Sequence, residues 1–484
     1  MLTRLHGRVR GKAHSLVVSF ALAALSAALP AQKAGQKKTA TAPQTPDTVR
    51  ELVALAESKR ARTGIVVHDQ DGKRVFSHRG DEAFAPASNQ KLLTAIAALE
   101  GLGSTFTFQT KFRLRGGALE VEPGGDPCWH SGGDRDPAKI FANVAAATLR
   151  AGATAVREVL VLDGGFVGPD RPATWPQDQL DRLYCPPTGG LVLEEGAFRA
   201  RVVAAGELAT IEVLAPPVVF PIEGTIRVGT PAKGKRSGFS LVEASGKLLA
   251  RGLVLPGAKA QEVCGLVQDP GRLVGLALEQ ALGRIGVAIA ATATPPDADL
   301  LVETSALMDA LRPMLKESSN FHAEQVLRVL GKKLCNDGSF AGGVRALHAT
   351  LKGLVGDVSE TSVCVDGSGL SRDNKVTPAL LARLLQIAKE KPYGVELRDS
   401  LPLGGIDGTL DRRFLDKRLA GKVFAKTGYI RGVSALSGYV LTSDGKSRVF
   451  SILMNWDPDG KSVISDAKEI QEKIVECIVA RRFE

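Results

Sequence analysis

The spacing of apolar residues along the chain predicts a helix followed by a hairpin near residue 50. In residues 47–60, DTVRELVALAESKR, apolar side chains recur every three or four positions, and Asp47 or Thr48 can cap the helix. Two short β-rich runs follow, TGIVVHDQ and RVFSHR, with Asp71–Gly72 as the turn between them. This part of the chain should therefore begin with a helix and two antiparallel strands.

The reverse order of elements is predicted at the other end of the chain. VSALSGYVLT and SRVFSILMN are β-rich runs around Asp444–Gly445, and Ile470, Ile474 and Ile478 mark one face of a closing helix. Strands from both ends of the chain would then complete one sheet, and the residues between them would be an insertion.

The intervening residues 109–299 show a different pattern. Short β-rich runs such as REVLVLDG and ATIEVLAP alternate with Gly and Pro, and a single predicted helix, GRLVGLALEQALGRIG, closes the region. Helical spacing returns from about residue 300. We expect a discontinuous domain of residues 48–108 and 300–484, with residues 109–299 inserted as a β-rich region, most simply as two small domains.

Residues 1–31 have the pattern of an export signal. Four basic residues precede an apolar run from Leu16 to Leu29, and small residues suited to cleavage follow. This pattern is typical of a secretory signal peptide, with an uncleaved anchor as the alternative. Residues 32–46 are polar and predict a linker. The folded part would then lie in the periplasm or cell envelope, and a loose association with the membrane surface stays open.

The distribution of charge argues against a nucleic-acid partner. The chain has 62 Lys and Arg against 52 Asp and Glu, a formal net charge of +10. Seven of the basic residues and no acid lie in residues 1–46, so the rest of the chain keeps only +3. A basic surface for nucleic acid needs a larger and clustered excess.

The cysteines and histidines do not show the spacing of a metal site. The six cysteines contain no CxxC pair, and the seven histidines contain no HExxH pair. We expect neither a metal nor another cofactor, and we expect the cysteines to be buried residues or disulfides of an exported protein.

A serine and a lysine three residues apart form the first candidate for catalysis. Ser88 and Lys91 occur in PASNQKLL, at the predicted start of a helix, and residues at this spacing share a helix face. The lysine amine can take the serine proton if burial or a nearby positive charge lowers its pKa. The SxxK motif alone is weak evidence for catalysis, since it recurs at Ser443–Lys446 and Ser465–Lys468, where a turn and a helix cap are predicted.

Two further motifs follow in order along the chain. Ser318–Asn320 stands between two predicted helices in ESSNFHAEQ, and Lys426–Gly428 stands on a predicted strand in VFAKTGYIRG. A serine can pass a proton to a leaving amine, and a lysine can attract a substrate carboxylate. Taken alone, Ser318–Asn320 could be a loop that caps the following helix, and Lys426–Gly428 could be an exposed strand end. The set SxxK, SxN and KTG in this order is the signature of penicillin-binding proteins and class A β-lactamases.

Further segments extend this resemblance to one family. DGSGLSRDNKVTP, SLPLGGIDGTLDRRF, GGDP and WPQDQLDRLYCPP resemble the D-alanyl-D-alanine carboxypeptidase/endopeptidase family of class C low-molecular-mass penicillin-binding proteins, from about residue 48 to the C-terminus. The resemblance implies an α/β (α+β) fold. A penicillin-binding, transpeptidase-like domain would have a central antiparallel sheet flanked by helices and would carry inserted β-rich domains.

The family resemblance also implies the catalytic groups. Ser88 would attack peptidoglycan stem peptides, form an acyl-enzyme and be acylated by β-lactam inhibitors. Lys91 would act as the base, and Ser318, Asn320 and Lys426 would complete the catalytic set.

Five further positions are assigned to substrate binding by the same resemblance. Thr427, Gly428 and Tyr429 would line the substrate, with the Tyr429 N–H in the oxyanion hole, although the family usually carries Thr or Ser at this last position. Asp163 and Arg372 match the residues with which the family reads the end of a diaminopimelic acid side chain.

Two other functions stay open on the sequence alone. One is a β-lactamase or esterase of the same fold, which the long insertion argues against. The other is a non-catalytic cell-wall-binding protein, which the intact proton-transfer set argues against, because a binding module does not need it.

Overall fold

The computed structural model describes residues 46–357, 362–443, 445–461 and 463–484. The predicted signal peptide, the predicted linker up to residue 45 and Asp444 lie outside the described residues. In the part of the chain that the structure describes, no helix is both long and apolar enough to cross a bilayer.

The described residues contain helices, strands and short 3₁₀ turns. The helices are α1 (Val49–Ser58), α2 (Gln90–Leu102), α3 (Pro137–Arg150), α4 (Pro270–Arg284), α5 (Leu307–Lys316), α6 (Asn320–Cys335), α7 (Phe340–Val355), α8 (Pro378–Glu390), α9 (Gly394–Asp399) and α10 (Ile464–Ala480). The strands are β1 (Arg62–His68), β2 (Arg74–His78), β3 (Thr107–Arg115), β4 (Ala118–Glu122), β5 (Ala155–Val156), β6 (Val159–Val161), β7 (Ala197–Ala205), β8 (Leu208–Ala215), β9 (Ile222–Val228), β10 (Gly238–Ala244), β11 (Lys247–Val254), β12 (Gln261–Leu266), β13 (Ala288–Ile289), β14 (Ala298–Ala306), β15 (Val423–Ile430), β16 (Val433–Leu441) and β17 (Ser447–Asn455).

The central sheet is built from both ends of the chain. Its strand order is β15-β16-β17-β1-β2, and each neighbouring pair is antiparallel. In this register Gly64 of β1 lies opposite Leu453 of β17, and Lys426 of β15 lies opposite Ser437 of β16. The fold class predicted from the sequence is confirmed.

Apolar residues on both faces of the sheet explain why helices cover it. Leu436 and Ile452 pack with Ile474 of α10 on one face, and their neighbours Ala435 and Leu453 belong to the core on the other face. This alternation is the period of two that a strand imposes. Since α8 packs on β1 and β17, and α1 packs on α10, the sheet is enclosed between helices.

A close crossing of two helices sets the position of α6. On α7, a Cβ at Gly343 would lie 2.6 Å from the Leu327 carbonyl oxygen of α6, so only glycine lets the two helices approach this closely. Helix α6 also packs on α2 and α5. Its first residue, Asn320, is thereby held beside the start of α2.

The region between β3 and β14 forms further sheets. Their strand orders are β10-β11-β9-β8-β7-β12, β14-β3-β4-β6 and β13-β5. Phe112, Trp129, Phe141 and Leu278 belong to a separate core between these strands and α3 and α4. The exact limits of the predicted domains stay a prediction.

The prediction of a single helix in this region was wrong, because α3 is a second one. Asp136 caps α3 by accepting the Ala138 N–H at 3.0 Å, and Pro137 occupies its first position. Both are ordinary signals of a helix start, so the sequence contained the information.

All six cysteines lie within the described residues and are free thiols. The expectation of buried residues or disulfides is wrong for Cys264 and Cys335, which are exposed. Cys185, Cys364 and Cys477 are buried.

Candidate active site

Ser88 lies in the 3₁₀ turn Ala87–Asn89, which leads directly into α2. The sequence predicted Ser88 at the start of a helix, and the structure places it in the turn just before α2. Ala87 has a φ of +46°, a left-handed conformation that is uncommon for alanine and is held here by the surrounding structure. Ser88 is half-buried, whereas Ala87 and Asn89 are buried.

The amine of Lys91 connects the Ser88 turn to two other parts of the chain. It is fully buried, and its Nζ lies 3.0 Å from Ser88 Oγ, 2.7 Å from Asn320 Oδ1 and 2.8 Å from the Ser368 carbonyl oxygen. Two of these partners can only accept a hydrogen bond from the amine. The third, the Ser88 hydroxyl, can donate to it when the amine is neutral.

Two buried acids surround this amine. Glu324 accepts the backbone N–H groups of Gly367 and Ser368 at 3.0 and 2.8 Å, and Asp366 accepts two N–H groups of the same loop at 2.7 Å each. Burial raises the pKa of both carboxyl groups. Burial also lowers the pKa of Lys91 to about 7, although the charges of Glu324 and Asp366 oppose this shift. Lys91 is therefore partly neutral near neutral pH.

The second motif joins α5 to α6. Ser318 has a φ of +63°, and Ser319 caps α6, accepting the His322 N–H at 3.3 Å. The alternative interpretation of this motif as a helix cap is therefore correct for Ser319. Asn320 Oδ1 faces the Lys91 amine, and its Nδ2 donates to the Tyr184 carbonyl oxygen at 2.8 Å.

The third motif lies on β15. Lys426 is fully buried, and its Nζ donates to Ser318 Oγ and to the Thr427 carbonyl oxygen, both at 2.9 Å. Asn89 Nδ2 donates to the Lys426 carbonyl oxygen at 2.9 Å, which ties the first motif to the third. Burial and the neighbouring charge of Lys91 lower the pKa of Lys426 well below its ordinary value.

The absence of a side chain at Gly428 lets β15 lie against the Ser88 turn. A Cβ at this position would lie 2.8 Å from the Pro86 carbonyl oxygen and 3.1 Å from the Ser88 nitrogen. The next residue, Tyr429, keeps 57% of its surface exposed. The backbone of Ser88 and the end of β15 are therefore close neighbours.

A cavity of about 880 Å³ opens over these groups. Ser88, Ser318, Asn320 and Tyr429 are among the residues that line it. Charged residues of both signs also line it: Asp178, Arg372, Asp373, Arg431 and Asp459. The catalytic motifs and a surface of mixed charge thus share one cavity.

One loop of the inserted region forms a wall of this cavity. Trp175 is buried, and its Nε1 donates to Asp366 Oδ2 at 3.1 Å. Tyr184 lines the cavity and accepts a hydrogen bond from Asn320 through its carbonyl oxygen. The inserted region therefore contacts two of the groups that surround Lys91.

Comparison with known proteins identifies the family. Residues 47–477 match the model of the D-Ala-D-Ala carboxypeptidase 3 (S13) family. The chain belongs to the S13 family. It is similar to the D-alanyl-D-alanine carboxypeptidase of Actinomadura sp. (strain R39), with 31% identity over 433 residues, 82% of this chain and 78% of the relative. D-alanyl-D-alanine carboxypeptidase DacB of Haemophilus influenzae is 25% identical over 405 residues, 79% of this chain and 82% of the relative.

Solved structures support the same fold. The crystal structure of penicillin binding protein 4 (dacB) from Haemophilus influenzae matches with a TM-score of 0.73 at 21% identity, covering 88% of this chain and 99% of that chain. Its complex with a novel β-lactam matches with a TM-score of 0.67, also at 21% identity, covering 90% of this chain and 99% of that chain.

The two positions expected to read a diaminopimelic acid side chain are placed differently. Arg372 lines the cavity, and its guanidinium donates to the Arg431 carbonyl oxygen. Asp163 is not among the residues that line the cavity. Its carboxylate accepts the Gly165 N–H at 2.6 Å, which is the turn geometry that aspartate favours before glycines. The structure therefore does not bring Asp163 together with Arg372 among the residues that line this cavity, and the Asp163 carboxylate stabilises a turn.

Some functional neighbours were missed by the sequence reasoning. Asn89 stands between Ser88 and Lys91 and has no role in the sequence prediction, although its amide donates to the Lys426 carbonyl oxygen of β15. Glu324 gave a usable signal, because it lies four residues after Asn320 in a predicted helix and therefore on the same helix face. Tyr184 gave none, since it contributes a backbone carbonyl, which any residue has.

One group of side chains beside the second motif could hold a metal. Ligand atoms of His130, Glu195 and His322 all lie within 4.8 Å of one another. The expectation of no metal rested on the lack of closely spaced ligands in the sequence. These three residues are far apart along the chain, so no spacing rule could have found them.

The lowered pKa of Lys91 predicts how acylation depends on pH. The rate of acylation by a penicillin should rise with pH through a midpoint near 7, because only the neutral amine can take the Ser88 proton. Below the midpoint the rate should fall about tenfold per pH unit. Second-order acylation rates from about pH 5 to 9 test this, with circular dichroism as the control for unfolding. A rate independent of pH over this range would contradict it.

Gly428→Ala should damage the site without unfolding the protein. The added Cβ would press on the Ser88 nitrogen and the Pro86 carbonyl oxygen, so acylation should slow about 100-fold, as on loss of an oxyanion donor. Gly283→Ala is the matched control, since a Cβ there meets no atom within 4 Å. Equal acylation rates for the two variants would show that the close approach at Gly428 does not matter.

Proposed function

We propose that the protein is a serine D-alanyl-D-alanine carboxypeptidase/endopeptidase that works through an acyl-enzyme on Ser88. The observation that carries the proposal is the position of the Lys91 amine, 3.0 Å from Ser88 Oγ and 2.7 Å from Asn320 Oδ1. Membership of the S13 family supports the substrate class. A penicillin is a second substrate for the same nucleophile, because it also presents a carbonyl to Ser88.

In the acylation step, Ser88 Oγ would bond to the carbonyl carbon of the bond between two D-alanines. Lys91 Nζ would take the hydroxyl proton as the oxygen attacks. Negative charge then develops on the carbonyl oxygen, where the backbone N–H groups of Ser88 and Tyr429 would stabilise it. The packing of β15 against the Ser88 turn supports this assignment.

In the departure of the amine, the C–N bond breaks and the leaving nitrogen needs a proton. Ser318 would pass its proton to this nitrogen and receive one from Lys426, whose Nζ already donates to it at 2.9 Å. Transfer of the extra proton from Lys91 to Lys426 would then restore both amines. Water, with Lys91 again as base, would hydrolyse the ester.

Substrate binding would use the rest of the cavity. Lys426 would attract the terminal carboxylate, and the strand edge from Thr427 to Tyr429 would lie along the peptide. Arg372 remains the proposed contact for the carboxylate of a diaminopimelic acid side chain. Since Asp163 lies elsewhere, Asp178 is the inserted-region acid that we propose for its ammonium group, because Asp178 lines the same cavity.

We also propose that the protein is exported to the periplasm or cell envelope, where its substrate lies. The basic and apolar pattern of residues 1–31 supports this placement.

The proposed function is tested with a fluorescent penicillin and a diaminopimelate-containing pentapeptide. Ser88→Ala should abolish labelling and lower D-alanine release at least about 1000-fold, because no other group replaces the nucleophile. Ser465→Ala is the matched control, because Ser465 also belongs to an SxxK sequence but lies on α10. This variant should leave both penicillin labelling and D-alanine release unchanged.

Each of the other outcomes would favour one alternative function or rule out Ser88. Labelling without D-alanine release from the pentapeptide, and without cleavage of a cross-linked peptide dimer assayed beside it, would contradict the peptidase and favour a binding protein. Rapid release of the opened β-lactam would favour a β-lactamase. Labelling that persists in Ser88→Ala would remove Ser88 as the nucleophile.

A further inference from the structure

A cluster of two imidazoles and a carboxylate lies directly behind the second motif. Glu195 Oε1 is 3.8 Å from His322 Nδ1, and the rings of His130 and His322 stack with centroids 5.9 Å apart. Ligand atoms of all three lie within 4.8 Å of one another. His322 is buried, whereas His130 and Glu195 are half-buried, so the cluster is closed at His322 and partly accessible to ions at the other two side chains.

The backbone that carries Glu195 is held in an unusual conformation. Glu194 and Glu195 both have positive φ angles, +52° and +53°, which residues other than glycine seldom adopt. Glu194 fixes this turn to the segment of His130, because its N–H donates to the Trp129 carbonyl oxygen at 3.0 Å and its carboxylate accepts the Ser131 N–H at 2.6 Å. The result is that Glu195 is aimed at the two histidines.

This set of donors suits a divalent transition metal. Zinc binds imidazole nitrogen and carboxylate oxygen at about 2.0 to 2.2 Å, which places ligand atoms about 3.3 Å apart in a tetrahedron. The 3.8 Å between Glu195 and His322 needs only a small side-chain rotation to reach that value. Three protein ligands with a fourth position for water form a common zinc arrangement.

We propose that His130, Glu195 and His322 form a binding site for a divalent transition-metal ion, with zinc the metal that fits best. The site is separate from the cavity over Ser88, because none of its three residues lines that cavity. The proposed metal site requires no catalytic role for the metal.

The middle residue of the second motif connects the two sites. Ser319 Oγ donates to Glu195 Oε2 at 2.7 Å and lies 3.0 Å from His322 Nδ1. A bound metal would compete with this hydroxyl for both partners. Because Ser319 stands between Ser318 and Asn320, a filled site would loosen the hold on both catalytic neighbours.

Metal binding is tested on the full chain without an affinity tag. Cys264 and Cys335 are exposed thiols that would bind zinc themselves, so every protein in the test carries Cys264→Ser and Cys335→Ser. After treatment with a chelator, calorimetry with zinc chloride measures stoichiometry and affinity, and the visible spectrum with cobalt(II) reports four-coordination. We expect one zinc per chain and a four-coordinate cobalt spectrum.

Variants of the half-buried ligands decide whether this is the site. His130→Ala and Glu195→Gln should each weaken zinc binding at least about tenfold, the scale on which metal sites respond to lost contacts. His78→Ala is the matched control, since His78 also lies beside a carboxylate, Glu57 at 3.1 Å, and should change nothing. Zinc binding that is equally strong in His130→Ala and Glu195→Gln, or absent in the parent protein, would overturn the proposal.

The connection through Ser319 is tested separately, by the rate of penicillin labelling. This part of the inference rests on the proposed function. Zinc should slow penicillin labelling of the parent protein several-fold and leave Glu195→Gln unaffected. If zinc binds as expected but labelling keeps its rate, the connection through Ser319 is wrong while the site stands. Labelling that fails even without zinc would count against the proposed function instead.

Discussion

The buried amine of Lys91 is the constraint on which the rest of the site depends. An ammonium group without water is costly, and the amine can remain in this place only if its neighbours satisfy its hydrogen bonds. The three neighbours come from the Ser88 turn, from the start of α6 and from the loop at Ser368. Distant parts of the chain must therefore all be in place before the amine is positioned and its pKa is lowered.

This requirement gives the inserted region a part in the catalytic centre. Trp175 donates a hydrogen bond to Asp366, and the Tyr184 carbonyl accepts one from the amide of Asn320. Asn320 bonds directly to the Lys91 amine, and the charge of Asp366 acts on its pKa. The inserted region thus supports the catalytic groups and forms a wall of the cavity. Because it leaves and returns through the paired strands β3 and β14, a long insertion can separate the first two motifs without separating their side chains.

The motifs could be predicted from the sequence, because their chemistry depends on residue types at short spacing. Ser88 with Lys91 and Ser318 with Asn320 are examples. The central sheet was also predictable, since β1 and β17 are runs of β-favouring residues next to the turn sequences Asp71–Gly72 and Asp444–Gly445. The contacts between distant segments were not: Asn89 reaching β15, a carbonyl at Tyr184 and the grouping of His130 with His322 depend on the packing of the whole chain. Asp163 shows the converse, because a matching position does not ensure a place at the cavity.

We expect the folded protein to hold Lys91 as a partly neutral amine at neutral pH, with its pKa lowered to about 7. Nuclear magnetic resonance of lysine-selectively ¹³C-labelled protein measures this directly, with Lys91→Arg to assign the ε-carbon signal. The account predicts that this signal titrates with a pKa of about 7. A titration near the ordinary lysine value of about 10.4 would contradict it, because the base would then be charged when Ser88 must give up its proton.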